Sequence, residues 1–194
     1  MKTSGQVTEK NIEEIPLFFI IGRPRSGTTL LRSFLDAHPN IQIPTECNYI
    51  YQLSRKYLKK KNWNDKTISS FLDDLKRTRF YKVSNFNVEK IEKDLRENKN
   101  ELTYPLACKI IANSFEGIFP KNELRTFGDK NPCYSLIFGY VYPVFQEAKF
   151  IHLLRDPRDN HISLSNSRME YPYISFTTLR WKKSYKQIEK FKQK

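Results

Sequence analysis

The sequence predicts an α/β domain of three layers, with a mainly parallel sheet and a helical insert. Three features of the 194 residues carry that reading. Residues 17–21, Leu-Phe-Phe-Ile-Ile, form a continuous apolar run of the kind buried on both faces in a parallel sheet. A loop punctuated by Gly22 and Gly27 then leads directly into a segment of helical period. Residues 149–154 repeat the buried-strand pattern and run into Arg155-Asp156-Pro157-Arg158-Asp159, so that strands alternate with helices.

Taken in order, residues 1–14 are polar, and the first strand follows them. From Thr28 the apolar residues Leu30, Leu31, Phe34 and Leu35 share one helix face, until His38-Pro39-Asn40 stops the helix. Residues 41–43 form a short second strand that ends at Pro44-Thr45-Glu46. Amphipathic helices are expected over 49–61, 68–77, 88–95 and 105–119, the last with a stripe of Leu106, Ile110, Ile111, Phe115 and Ile118. Residues 50–122 are therefore the insert. A strand over 124–127, the segment Gly128-Asp129-Lys130-Asn131-Pro132, a helix over 134–145 and the strand 149–154 follow. A helix over 159–167 and one from 177 to the end complete the chain, the latter with a stripe of Trp181, Tyr185, Ile188 and Phe191. Tyr171, Tyr173, Phe176 and Trp181, which follow the second motif, read as core aromatics, with packing on an adenine or an acceptor left open.

Composition narrows the class. Fourteen Phe, eleven Tyr and two Trp exclude disorder, and six glycines exclude a collagen-like repeat; residues 1–194 read as one domain. No apolar run approaches the roughly 20 residues that a membrane span needs, and residues 1–14 hold no signal-peptide core, so a soluble, non-secreted, cytoplasmic protein is expected. Cys47, Cys108 and Cys133 are widely spaced and odd in number, which fits reduced core thiols. The net charge of +13 comes largely from scattered lysines and the basic terminal helix, so it describes solvated faces and does not by itself make a nucleic-acid binder.

The loop from Gly22 to Gly27 has the GxxxxG frame of a phosphate-binding loop, between a buried strand and a helix N-terminus, where backbone N–H groups meet anions. Thr28-Thr29 stands where a nucleoside-triphosphate loop has Lys-Ser/Thr, and the cation, Arg25, lies inside the loop. Arg25 with the hydroxyls of Ser26, Thr28 and Thr29 suits a phosphate-type group bound without magnesium.

Residues 22–31, GRPRSGTTLL, with Asp36-Ala37-His38-Pro39, resemble the 5′-phosphosulfate loop of sulfotransferases that use 3′-phosphoadenosine 5′-phosphosulfate (PAPS). The likeness is strongest to the tyrosylprotein sulfotransferases and related bacterial enzymes. Residues 150–163, FIHLLRDPRDNHIS, are similar to the same family's 3′-phosphate motif, a strand ending in Arg followed by a helix bearing Ser. The resemblance implies P-loop-NTPase-like topology and sulfuryl transfer from PAPS, with no metal required, to a hydroxyl or amine on a carbohydrate, peptide, lipid or small molecule. It implies that Arg25, Ser26, Gly27, Thr28 and Thr29 hold the 5′-phosphosulfate and that Arg155 and Ser163 hold the 3′-phosphate. Glu46 is the implied general base. Lys130, with Arg25, faces the transferred group.

A plainer reading of Glu46 stays open, as an acid favoured by a helix N-terminus. His38, His152 and His161 match no base position and read as structural. Family members continue past the final helix with another strand, whereas this sequence stops at Lys194. That leaves a fragment, a compact enzyme, a PAPS-binding domain without activity, and a homodimer that completes the site all open. A P-loop kinase of small molecules or nucleotides is the alternative from another class, against which the missing lysine after Gly27 counts.

Overall fold

A computed structural model describes residues 11–192; residues 1–10 of the polar leading segment and residues 193–194 lie outside the described residues. The apolar run becomes β1 (Leu17–Gly22), with Phe19, Ile20 and Ile21 fully buried. β2 (Ile41–Gln42), β3 (Thr126–Lys130) and β4 (Lys149–Leu153) join it in one sheet of order β2-β3-β1-β4, every pairing parallel. Parallel pairing brings the carboxyl ends of β1, β3 and β4 to one edge, where open α/β sheets bind ligands.

Side chains alternate across these strands, which sorts the two faces. Leu17, Phe19, Phe127 and Asp129 share one face by register. There the Phe19 ring stacks on Phe150 at 5.0 Å and meets Phe145 at 5.6 Å and Tyr134 at 6.2 Å. The same core continues into the insert, α2 (Tyr49–Tyr57), α3 (Asp65–Lys76), α4 (Val88–Glu97) and α5 (Tyr104–Asn113). Its helices begin at side-chain caps: Asn64 accepts from Thr67 N at 2.9 Å, Asn87 from Lys90 N at 2.9 Å and Thr103 from Leu106 N at 3.3 Å. The buried Tyr104 hydroxyl donates to the Ile50 carbonyl at 2.6 Å, tying α5 to α2.

On the opposite face a Cβ at Gly128 would lie 2.7 Å from Phe18 and 2.8 Å from Ile43, so a glycine is needed for β2 and β3 to close. α1 (Thr28–Asp36) lies toward this side. Its expected apolar face is not its buried face: Leu30 is 61% and Phe34 67% exposed, while Thr28 and Asp36 are buried. Hydrogen bonds fix the helix instead. Asp36 Oδ1 accepts from Ile43 N at 2.9 Å, and Arg32 Nε donates to the Ile43 carbonyl at 3.0 Å.

Three further elements differ from the sequence expectation. The helix expected over 134–145 is a 3-10 turn (Pro132–Leu136), α6 (Phe138–Val141) and a second 3-10 turn (Tyr142–Val144): the backbone leaves helical geometry at Ile137, and Pro143 brings no N–H to a helix continuing past α6. α5 stops at Asn113, where Asn87 N donates to the Ser114 carbonyl at 2.9 Å and Phe115 bridges Phe86; Ile118, expected in its stripe, is 89% exposed. β3 runs three residues past the expected strand end, into the segment Gly128-Asp129-Lys130-Asn131-Pro132, so Asp129 and Lys130 belong to a strand. α7 (Pro157–Asn166) and α8 (Ile174–Lys192) end the chain. Among the described residues, no helix is long and apolar enough to cross a membrane.

Candidate functional site

The loop after β1 is built by two conformational demands. Gly27 caps α1 with φ +91°, the left-handed region that glycine enters without cost. A Cβ on Gly22 would sit 2.6 Å from the Leu153 carbonyl oxygen, so the chain leaves β1 where β4 comes closest. Arg25 also has positive φ, +67°, unusual for a residue with a side chain. The carbonyls of this loop are held by the second motif: Arg155 Nη1 donates to the Arg25 carbonyl at 2.9 Å and Asn160 Nδ2 to the Pro24 carbonyl at 2.8 Å.

Arg25 Nε in turn donates to Ser163 Oγ at 3.1 Å, across 138 residues of sequence. Arg25, Arg155 and Ser163 together line an open cavity of about 400 Å³, with Asp159, Asn166 and Ser167. Arg155 leaves the end of β4 and Ser163 lies on α7, whose start Asp156 caps by accepting from Arg158 N at 2.8 Å. Hydrogen bonds from the Arg158 guanidinium and backbone hold the Asp156 carboxyl well below the usual carboxylate range. Thr28 is buried at the first turn of α1, while Ser26 is half-buried and Thr29 exposed. Gly27 offers that turn no side-chain cap, which leaves its N–H groups unshared by a capping oxygen.

A larger cavity of about 720 Å³ adjoins the other side of the loop, lined by Arg23, Pro24, Glu46, Arg79, Cys133 and Arg180 among others. Glu46 and Lys130, 84 residues apart, meet here: Lys130 Nζ lies 3.0 Å from Glu46 Oε2. Lys130 is 6% exposed, so this is a largely desolvated pair and not a lysine of a solvated turn. Arg23 and Pro24 face one cavity and Arg25 the other, which makes the loop the wall between them.

Several cavity residues were given no site role by the sequence reading, Arg23 among them although it lies in the loop. Arg23 pairs with Glu170, and Arg180 Nε lies 3.1 Å from the same carboxylate. Arg23 Nε and Nη1 are buried without a hydrogen-bond partner. Arg79 comes from the segment between α3 and α4, where nothing in the sequence marks it. Tyr171 and Tyr173, expected in the core, are exposed, and Cys133, expected as a core thiol, lines the cavity wall. Among the described residues no histidine lines the cavity that holds Glu46; His161 Nδ1 lies 2.8 Å from Thr177 Oγ1 and His38 Nδ1 accepts from Asn40 N at 3.1 Å.

The same fold and site residues can be compared with known proteins. Residues 16–194 match the Sulfotransferase family. A protein-tyrosine sulfotransferase of Drosophila melanogaster is 30% identical over 145 residues, 75% of this chain and 24% of the fly protein. Protein-tyrosine sulfotransferase 1 of Homo sapiens is 55% identical over 147 residues, 75% of this chain and 33% of the human protein. The chain thus spans a third or less of these relatives' length. The sulfotransferase domain of the Synechococcus PCC 7002 olefin synthase superposes with a TM-score of 0.53 at 22% identity, covering 91% of this chain and 61% of that domain, so the fold is shared. With the family match running from β1 through the last described helix, the chain belongs to the Sulfotransferase family.

Proposed function

We propose that this chain transfers a sulfuryl group from PAPS to an acceptor hydroxyl or amine. The observation that carries the proposal is the meeting of two distant motifs at one sheet edge, Arg25 with Ser163 and Arg155. Two arginines, a serine hydroxyl and a free helix N-terminus are a donor set for phosphate oxygens. The residues therefore fit the nucleotide: Arg25, Ser26, Gly27, Thr28 and Thr29 would hold its 5′-phosphosulfate, and Arg155 and Ser163 its 3′-phosphate. The donor supplies an activated sulfur–oxygen bond; the chain supplies position, charge and a proton acceptor.

Glu46 takes the acceptor's proton, and Lys130 donates hydrogen bonds to the oxygens on which negative charge grows. Glu46 is half-buried and faces the larger cavity, which suits a base that must reach an incoming substrate. The names of the relatives make a tyrosine-containing peptide the first acceptor to try, followed by oligosaccharides and simple phenols.

Calorimetric titration with 3′,5′-adenosine bisphosphate (PAP) tests the donor site. PAP is expected to bind far more tightly than AMP, and Arg155→Ala to weaken PAP by roughly 1.5–3 kcal/mol, the range for a hydrogen bond to a charged group. Equal binding of PAP and AMP, or binding of ATP with magnesium in place of PAP, would overturn the assignment.

A further inference from the structure

The cavity that holds Glu46 carries more positive charge than its own acids neutralise. Glu170 faces Arg23 and Arg180, and Glu46 faces Lys130. Arg79 and Arg168 line the same cavity and have no ion-pair partner among the described residues. Arg23 is 3% exposed, and although Nη2 reaches Glu170, its Nε and Nη1 have no hydrogen-bond partner. A buried guanidinium with unmet donors is costly until an acceptor arrives to meet them.

The walls supply aromatic faces beside these charges. The Arg79 guanidinium lies 4.5 Å from the centroid of Phe80, and that of Arg180 lies 5.4 Å from Phe176, whose ring meets Tyr171 edge-on at 5.7 Å. All three rings line the cavity. Phe80, with φ +67°, and Arg168, with φ +52°, lie in the left-handed region that residues with a side chain seldom enter. Among the described residues the one other such case outside glycine is Arg25 in the donor loop. Backbone held in this region clusters at binding sites, where the surrounding fold must maintain it. Cys133 on the wall feels charges of both signs: burial pushes its thiol pKa up, Glu46 adds to the rise, and Arg79, Arg180 and Arg23 oppose it.

Resting on the sulfotransferase reading, we propose that this cavity is the acceptor subsite for a small hydroxyaryl carboxylate, its ring against Phe80, Phe176 and Tyr171 and its carboxylate on Arg79 and the free donors of Arg23. The volume of about 720 Å³ is that of a pocket which encloses a small ligand. Guanidinium groups match the two oxygens of a carboxylate, and Glu170 already occupies that role between Arg23 and Arg180. A phenol also suits a carboxylate base, since its proton, with a pKa of about 10, leaves more readily than that of an aliphatic alcohol. The phenol's proton passes to Glu46, and its oxygen's electron pair forms the bond to sulfur. The bond from sulfur to the bridging phosphate oxygen breaks, which releases PAP.

The test is calorimetric titration of the whole chain, with and without saturating PAP, using para-hydroxyphenylacetate and its neutral amide, which keeps the ring and the hydroxyl. The acid should bind at least about tenfold more tightly than the amide, as a hydrogen bond to a charged group requires. Arg79 is exposed, so Arg79→Gln should fold; it should bring the acid to within about threefold of the amide and leave PAP affinity unchanged. Equal binding of acid and amide by the wild type overturns the proposal, as does an acid affinity unmoved in Arg79→Gln. Acetate binding as tightly as the aromatic acid overturns the role of the rings.

Iodoacetamide labelling of Cys133, read by peptide mass spectrometry, places the ligand, because Cys47 and Cys108 are buried while Cys133 lines the cavity. The acid should slow that labelling several-fold, and an unchanged rate with the acid bound overturns the placement. Should Cys133 not react even without ligand, the Arg79→Gln titration carries the decision. With radiolabelled PAPS, Arg79→Gln should raise KM for the acid and not for the amide, with kcat within about twofold of the wild type. A tyrosine-containing peptide that displaces the acid and binds more tightly would overturn the small-molecule assignment. Failure of PAP to bind removes the sulfotransferase reading instead, and the difference between acid and amide measured without PAP still decides whether the cavity takes a carboxylate.

Discussion

Lys130 and Asp129 lie in a strand, and that single difference from the sequence reading changes their chemistry. In a turn both would be solvated; at the end of β3 the lysine reaches Glu46 and the aspartate enters the core. The aspartate has a consequence for stability. Its pKa is raised in the folded state, so between about 4 and 7 the native protein binds more protons than the unfolded chain, and stability falls as pH rises through that window. Asp129→Asn removes the dependence. Denaturant titrations at pH 4 and pH 8 should show the variant gaining on the wild type with rising pH, by on the order of 2–4 kcal/mol across the window. A difference independent of pH would mean that the carboxyl is not held protonated.

Among the elements, α1 shows how a hydrophobic pattern misleads when a helix is fixed by polar anchors. Leu30 and Phe34 have the spacing of a buried stripe, yet Asp36 and Arg32 bond the Ile43 backbone and turn that stripe outward. A buried Phe truncated to Ala costs about 3–5 kcal/mol, whereas surface changes stay within roughly 0.5 kcal/mol. Phe34→Lys should therefore shift the melting temperature by no more than about 2 °C. A larger loss would place the ring in a packed interface. The short α6 after β3 ends for a plainer reason: apolar spacing favoured continuity, and Pro143 with its missing N–H stopped the helix there.

At the scale of the whole molecule, the net charge of +13 is not spread evenly in its effect. Arg25 and Arg155 line one cavity, and Arg23, Arg79, Arg168 and Arg180 the adjoining one, all at the carboxyl edge of the sheet. Concave sites with an excess of positive charge concentrate anions, and salt screens the effect over about 10 Å at 0.1 M. PAP binding is thus expected to weaken several-fold between roughly 0.05 and 0.3 M salt, more steeply than AMP binding because PAP carries the additional phosphate. Calorimetry at three salt concentrations checks this, and equal slopes for the two nucleotides would remove the separate 3′-phosphate contact.

The sequence by itself determined the β1–loop–α1 unit and the β4–turn–α7 unit. Those features are local: an apolar run, a left-handed glycine, an Asp cap and a cation in the loop all act within a few residues of one another. Only the tertiary structure decided that Arg25 meets Ser163, that Glu46 meets Lys130, and that Asp129 lies buried on the core face of the sheet. It also decided that Arg23, Arg79 and Arg180 share one cavity, and that Leu30 and Phe34 face outward. The physical reason is that these facts depend on the parallel register of β1 with β3 and β4, which joins segments separated by a hundred residues or more. No spacing along the chain encodes such a register; it is set by which side chains can share one closely packed sheet.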